Sequence, residues 1–181
     1  MAICALPQST VRLLGSSVNI TTPCDLVKEL VDNAIDAEAT SIEISISADT
    51  VEKISVHDNG HGIAVEDFDS LGRKSHTSKL RSFDELQTKG GKTLGFRGEA
   101  LASANSLASI TVTTKVSGDP VATRIQLRPG AGGVQNKRPV SALVGTTVEV
   151  AQLFKNIPAR RQNLLKEKNK TMLKIKELLR A

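Results

Sequence analysis

Hydrophobic and polar positions follow two periods along this chain, and the points where the period changes mark its elements. Leu26, Val27, Leu30, Val31, Ala34 and Ile35 cover one half of a helix at about 100° per residue. Thr22 precedes them as an N-cap, with Pro23 at the first helical position and Asp25 as the capping-box acid, so a helix is predicted over 23–37. Glu29, Asn33 and Asp36 fall in a narrow arc beside the apolar half and so look along the rim of a core. Ile42, Ile44 and Ile46 then alternate with Glu43, Ser45 and Ser47, the two-residue period of a half-buried strand. A second strand is predicted over 51–58, where Ile54, Val56 and Asp58 share one parity, so an acid ends the strand facing the covered side. Gly60 and Gly62 break it.

Elsewhere the pattern is weaker. Residues 9–14 suit a short helix or a strand, and 65–71 a helical turn. Between Gly72 and Gly98 the periodicity fails apart from 83–86, the signature of a functional loop or lid inside a compact domain. A helix is predicted over 99–107, strands near 109–115, 122–128 and 146–151, a glycine-rich surface turn over 129–139, and one final helix over 157–180. Leu164, Leu165, Met172, Ile175, Leu178 and Leu179 form the apolar side of that helix. The order is α/β with mostly antiparallel strand neighbours, without repeated β-α-β winding.

Composition adds limits. With 181 residues and 39% hydrophobic content, one domain with a real core is expected. No apolar run approaches the ~18 residues of a membrane span, and the start of the chain lacks the basic flank and apolar length of a signal peptide. Cys4 and Cys24 fit no metal spacing and read as free thiols of a reducing compartment. The net charge of +5 is uneven: over 159–181 eight Lys or Arg face two Asp or Glu, while the rest is close to neutral. Such a tail suits phosphate contacts, or is simply a solvated basic face. Tyr and Trp are absent and Phe occurs four times, which argues against an aromatic platform for single strands.

Three polar clusters carry candidate chemistry. On the first helix, Glu29 and Asn33 stand one turn apart and face the same way. Mg²⁺ takes few protein ligands, so one amide oxygen from Asn33 suits it, and Glu29 suits a base for water attacking a γ-phosphate. Taken alone, this pair is more simply a solvated helix edge. Asp58, at a core-facing strand end, would find a donor in an adenine amino group, with Gly60 and Gly62 admitting the ring; an Asx turn is the plainer alternative. Gly95 and Gly98 allow close backbone approach before a helix whose free N–H groups favour an anion, and Thr77, Ser78 and Lys79 add hydroxyls and a cation. GxxxxGK[ST] and GxGxxG are both missing. Together the three clusters point to an ATPase.

Glu29 to Ala37, Asp58-Asn59-Gly60-His61-Gly62-Ile63, Thr77-Ser78-Lys79, Gly95-Phe96-Arg97-Gly98-Glu99-Ala100-Leu101 and Gly145-Thr146-Thr147-Val148 resemble the nucleotide motifs of the GHKL ATPases. Leu153-Phe154-Lys155-Asn156-Ile157-Pro158-Ala159-Arg160 and the Gly95–Leu101 run resemble the MutL branch, used in DNA mismatch repair, and among eukaryotic members the post-meiotic-segregation type. The resemblance spans nearly the whole chain. It implies a two-layer α/β sandwich: a mixed, mostly antiparallel sheet with helices on one face. It implies ATP and Mg²⁺ as ligands, Glu29 as the base, Asn33 as the magnesium ligand and Asp58 as the adenine reader, with Gly62 in the same motif and Thr146 beside the base. Thr77, Ser78, Lys79, Gly95, Phe96, Arg97, Gly98, Glu99, Ala100 and Leu101 become lid and phosphate contacts.

It further implies a slow, ATP-driven clamp in the nucleus, with a MutL-type heterodimer partner, a MutS-type mismatch recognition complex and DNA, and no membrane. DNA contact through the basic carboxy-terminal helix would be weak. Three departures stand out: Gly15 to Ile20 replaces the usual alanine-glycine-glutamate segment, 86–95 is longer with Gly90-Gly91 inserted and Leu94 where an aromatic is common, and no lysine-donating second domain precedes Ala181. The chain is therefore expected to be the N-terminal ATPase domain, 1–181, of a longer protein. A nucleotide-gated module without hydrolysis is one competing reading. A histidine kinase or topoisomerase subunit is another, although His57, His61 and His76 lack a helical phospho-acceptor context.

Overall fold

The computed structural model describes residues 5–74, 76 and 99–180. A first helix, α1 (Gln8–Asn19), settles the ambiguous amino-terminal segment as helical, and α2 (Pro23–Asp36) follows. The predicted capping box is formed. Thr22 Oγ1 accepts the Asp25 N–H at 3.2 Å and an Asp25 carboxylate oxygen accepts the Thr22 N–H at 2.9 Å, a device worth about 1 kcal/mol. Leu26, Val27, Leu30 and Ala34 of α2 are buried, whereas Ile35 turns outward at 50% exposure.

Six strands make one sheet: β1 (Ile42–Ile46), β2 (Lys53–Asp58), β3 (Ser109–Lys115), β4 (Ala122–Leu127), β5 (Val134–Val140) and β6 (Gly145–Ala151), in the order β1-β2-β6-β3-β4-β5. The resemblance implies a mixed, mostly antiparallel sheet; every pairing among the described residues is antiparallel. A 3-10 helix (Val65–Ser70) and α3 (Ala100–Leu107) separate β2 from β3.

Register sorts one sheet face into rows. Ile46, Ile54, Val150 and Ile110 align across four strands, and beside them Ile44, Val56, Val148, Val112 and Ile125. This apolar face packs under α2 and α3. The opposite face carries Ser55, His57, Thr147, Thr111, Thr113, Arg124 and Gln126, and there Glu149 takes both Arg124 and Lys53. Alternation of this kind is what one solvated face requires.

Two expectations need correction. The surface turn predicted over 129–139 is confined to its first residues, and Val134–Val140 is the edge strand β5, paired with β4. Its Gln135-Asn136-Lys137-Arg138-Pro139 run is exposed, so no period-2 apolar signal exists, and charge and proline are tolerated at an edge. The single final helix is two helices, α4 (Pro158–Lys166) and α5 (Lys168–Leu178), broken at Glu167. Leu164 and Ile175 are buried, while Leu165 and Leu179 are 37% and 46% exposed.

The Leu153–Arg160 run acts as a clasp. Leu153 and Phe154 are fully buried, and their N–H groups donate to the carbonyls of Val51 at 2.8 Å and Leu107 at 2.9 Å. Phe154 holds a φ of 59°, costly for a bulky residue by roughly 1–3 kcal/mol, so its packing must outweigh the strain. Arg160 lies over its ring, 5.3 Å from the centroid, and donates to the Ser17 carbonyl of α1 at 2.7 Å.

Candidate nucleotide site

At one end of the sheet the helix-facing rows turn polar. Asp58 pairs with Thr146 and Thr146 with Thr114, three adjacent strands placing an acid and two hydroxyls side by side where the next row holds valines. All three are buried, at 6%, 7% and 2% exposure. Buried polar groups of this kind need partners. Asp58 Oδ1 accepts the Gly60 N–H at 2.9 Å. Burial pushes its carboxyl above the usual carboxylate range, against the pull of the Gly60 and Thr146 N–H groups. Thr114 Oγ1 accepts the Ile63 N–H at 2.9 Å and lies 3.2 Å from Thr146 Oγ1 and 3.1 Å from the Gly145 carbonyl oxygen.

The glycines of the second cluster serve close approach. A Cβ on Gly60 would stand 2.6 Å from the Ala37 carbonyl oxygen, and Gly62, at φ 78°, would collide with the Lys115 carbonyl at 2.2 Å. The His61 N–H donates to the same Ala37 carbonyl at 3.1 Å. The tip of β2 is thereby pinned to the carboxy-terminal end of α2. Asn59, adjacent to Asp58, is structural: its Oδ1 accepts the Thr40 and Ser41 N–H groups, each at 2.9 Å.

That junction orders the rest of the site. Ala37, Asn33 and Glu29 are successive i, i+4 positions of one helix, so Asn33 sits about 6 Å and Glu29 about 12 Å along the axis from the Asp58 end. Both are partly buried, as the rim placement predicts. Lys28, the neighbouring cation, is held by Asp32 at 2.6 Å. Val148, in a central strand between buried Val56 and Val112, keeps partial exposure beside the polar row.

The third cluster is placed only at its end. Glu99 is the N-cap of α3, with no side-chain cap on that helix, and Glu99, Ala100 and Leu101 are partly buried. Asn19 at the end of α1 donates to Glu99 Oε2 at 3.3 Å and to Ser103 Oγ at 3.2 Å, tying α1 to the start of α3. Thr77, Ser78, Lys79, Gly95, Phe96, Arg97 and Gly98 lie outside the described residues. Among the described residues no group of three or more His, Cys, Asp or Glu is positioned to cage a metal. An open site that offers a single amide suits Mg²⁺, which keeps water and phosphate oxygens in its shell.

Sequence reasoning passed over Thr114 and named Val148 only within the Gly145–Val148 motif, without a role of its own. Thr114 carries the signal that singled out Asp58, a polar residue at the parity of buried Ile110 and Val112. Beyond that motif Val148 carries none, since its exposure depends on what packs over the sheet.

A family model described as Histidine kinase-, DNA gyrase B-, and HSP90-like ATPase matches residues 21–157. The chain is 40% identical to human PMS1 protein homolog 1 over 176 residues, covering 96% of the chain and 19% of that protein, so it spans only a fraction of this relative's length. A crystal structure of the N terminal domain of a DNA repair protein aligns with a TM-score of 0.81 at 35% identity, over 97% of this chain and 50% of that one. The Aquifex aeolicus MutL ATPase domain complexed with ADP aligns with a TM-score of 0.64 at 30% identity, over 87% and 53% of the two chains. The buried acid–hydroxyl row, its pinning to the α2 rim and these likenesses agree: the chain belongs to the histidine kinase-, DNA gyrase B- and HSP90-like ATPases, as an ATPase domain of the MutL type found in DNA mismatch repair proteins.

Proposed function

We propose that this chain binds ATP with magnesium and hydrolyses it slowly, as the N-terminal ATPase unit of a longer mismatch repair protein. The observation that carries the reading is the buried row Asp58–Thr146–Thr114 at the sheet end, joined to the helix edge that presents Asn33 and then Glu29. An adenine amino group at Asp58 adds a donor to those of Gly60 and Thr146, and the partly exposed Val148 gives the ring an apolar floor. From there a triphosphate laid along α2 passes Asn33 and reaches Glu29, which accepts a proton from the water that attacks the γ-phosphate, yielding ADP and phosphate. Asn33 would hold magnesium, whose charge, when bound, neutralises the phosphate oxygens. That the Aquifex MutL ATPase domain forms a complex with ADP supports the same ligand class. Calorimetric titration with MgATP is expected to give saturable binding; no saturable heat with either ATP or ADP would sink the proposal.

In this reading Thr77, Ser78, Lys79 and the Gly95–Leu101 segment close over the phosphates and join the N-terminal domains of a MutL-type heterodimer, and hydrolysis resets them. The protein acts in the nucleus, with a MutS-type recognition complex and DNA. Among the eight cations after residue 158, Arg160 and Arg161 are occupied by Ser17 and Glu52, whereas Lys166, Lys168, Lys170, Lys174, Lys176 and Arg180 are exposed. If three of them contact phosphate, duplex affinity is expected to fall by roughly 10-fold or more between about 50 and 200 mM salt. A salt-independent affinity in a fluorescence anisotropy titration would remove this surface from DNA binding.

A further inference from the structure

We infer that Thr114 is a positioning residue of the purine pocket, whose hydroxyl holds both the loop behind Asp58 and the Thr146 side chain that faces the base. The inference rests on the nucleotide reading above. Thr114 lies in a third strand and at 2% exposure touches no solvent, yet its one oxygen reaches three separate groups. It accepts the Ile63 N–H at 2.9 Å, which anchors the segment following Gly60 and Gly62. It also lies 3.1 Å from the Gly145 carbonyl oxygen and 3.2 Å from Thr146 Oγ1, both at the start of β6.

A threonine hydroxyl has one proton and two acceptor sites. With Ile63 on one acceptor site, the Thr114 proton goes to the Gly145 carbonyl, which can only accept. Thr146 then donates to Thr114, since an outward Thr146 proton would leave two lone pairs facing each other. The remaining lone pairs of Thr146 Oγ1 are thereby turned toward the cleft. A 6-amino purine whose amine is held by Asp58 presents an adjacent ring nitrogen, N1, as a second acceptor. One water, with two protons, donates to both and joins the base to Thr146. The contact to Thr114 also selects the Thr146 rotamer with oxygen, not methyl, toward the polar row, because χ1 of a β-branched residue has few choices. Thr114 thus acts on the base without touching it.

The test compares ATP with 1-deaza-ATP, in which N1 is replaced by C–H, by calorimetry on the chain and on Thr114→Val and Thr114→Ser. The unsubstituted chain is expected to bind 1-deaza-ATP about 10-fold more weakly than ATP, the size of one hydrogen bond. Thr114→Val is expected to lose about 10-fold in ATP affinity and most of the discrimination, with Thr114→Ser restoring both. An equal loss for the two nucleotides would show mere loosening and overturn the inference, as would Thr114→Val binding ATP unchanged. Should Thr114→Val not fold, the inference is still overturned if the unsubstituted chain binds the two nucleotides alike, or if folded Thr114→Ser fails to discriminate. Absence of adenine-nucleotide binding by the unsubstituted chain would instead refute the nucleotide reading itself.

Discussion

Glu29→Ala is expected to bind MgATP about as well as the parent chain and to hydrolyse it roughly 10²–10⁴ times more slowly, the usual worth of a positioned base. Glu29 lies farthest from Asp58 along the working edge of α2, about 12 Å up the helix axis, so its carboxylate belongs to the phosphate end of any ligand anchored at Asp58. Removing it leaves the purine contacts and Asn33 in place. The leucines and valine that seat α2 also remain, because Leu26, Val27 and Leu30 are buried on the neighbouring face. Glu29→Gln keeps the shape and hydrogen bonding but not the basicity, and is expected to match the alanine variant in turnover. Single-turnover hydrolysis beside calorimetric binding separates the two effects. Equal hydrolysis by parent and variants would move the base elsewhere, and binding with no turnover above the buffer rate in the parent would favour a nucleotide-gated module.

Replacing Asp58 is the second large effect, and it acts on binding. Asp58→Ala is expected to weaken ATP by roughly 10- to 100-fold, since a hydrogen bond to a charged group contributes about 1.5–3 kcal/mol and each 1.4 kcal/mol is tenfold. An unchanged dissociation constant would refute the adenine assignment.

Stability should respond in the opposite sense. Burial raises the Asp58 pKa, so the protonated acid favours the folded state. Its stabilising contribution is fully present below the unfolded-state value of about 3.9 and is lost as pH climbs through the raised folded value. At neutral pH the ionised carboxylate therefore costs stability. Asp58→Asn, whose amide oxygen can still accept the Gly60 N–H, is expected to melt no lower than the parent near pH 7, with any advantage shrinking toward about pH 4. A variant that melts well below the parent at neutral pH would contradict this.

Function and stability pull apart at Asp58: burial disfavours the charge that the proposed purine contact would use.

The fold was legible where a local pattern had one strong cause. The α2 helix announced itself through Thr22, Pro23 and Asp25 and through its apolar half, and β1 and β2 through strict alternation. The pattern failed at β5 because an edge strand exposed on both faces has nothing to alternate. It failed at Glu167 because the run across the break reads helical on either side, and only packing shows that Leu164 and Ile175 are the residues that bury. The Leu153–Arg160 run was recognisable as a motif, but its work proved to be clasping the core, with Arg160 spent on Phe154 and Ser17.

From its residues alone, this protein was determined to carry a rim pair one helical turn apart, a core-parity acid at a strand end and glycines behind it. Those are local facts, set by periods of 3.6 and 2 and by the side chains themselves. Only the tertiary structure decided that Asp58, Thr146 and Thr114 form one row, because strand register across β2, β6 and β3 joins residues far apart in the chain. The same holds for the Ala37 carbonyl that brings the strand tip to α2, a contact that Gly60 permits by having no Cβ.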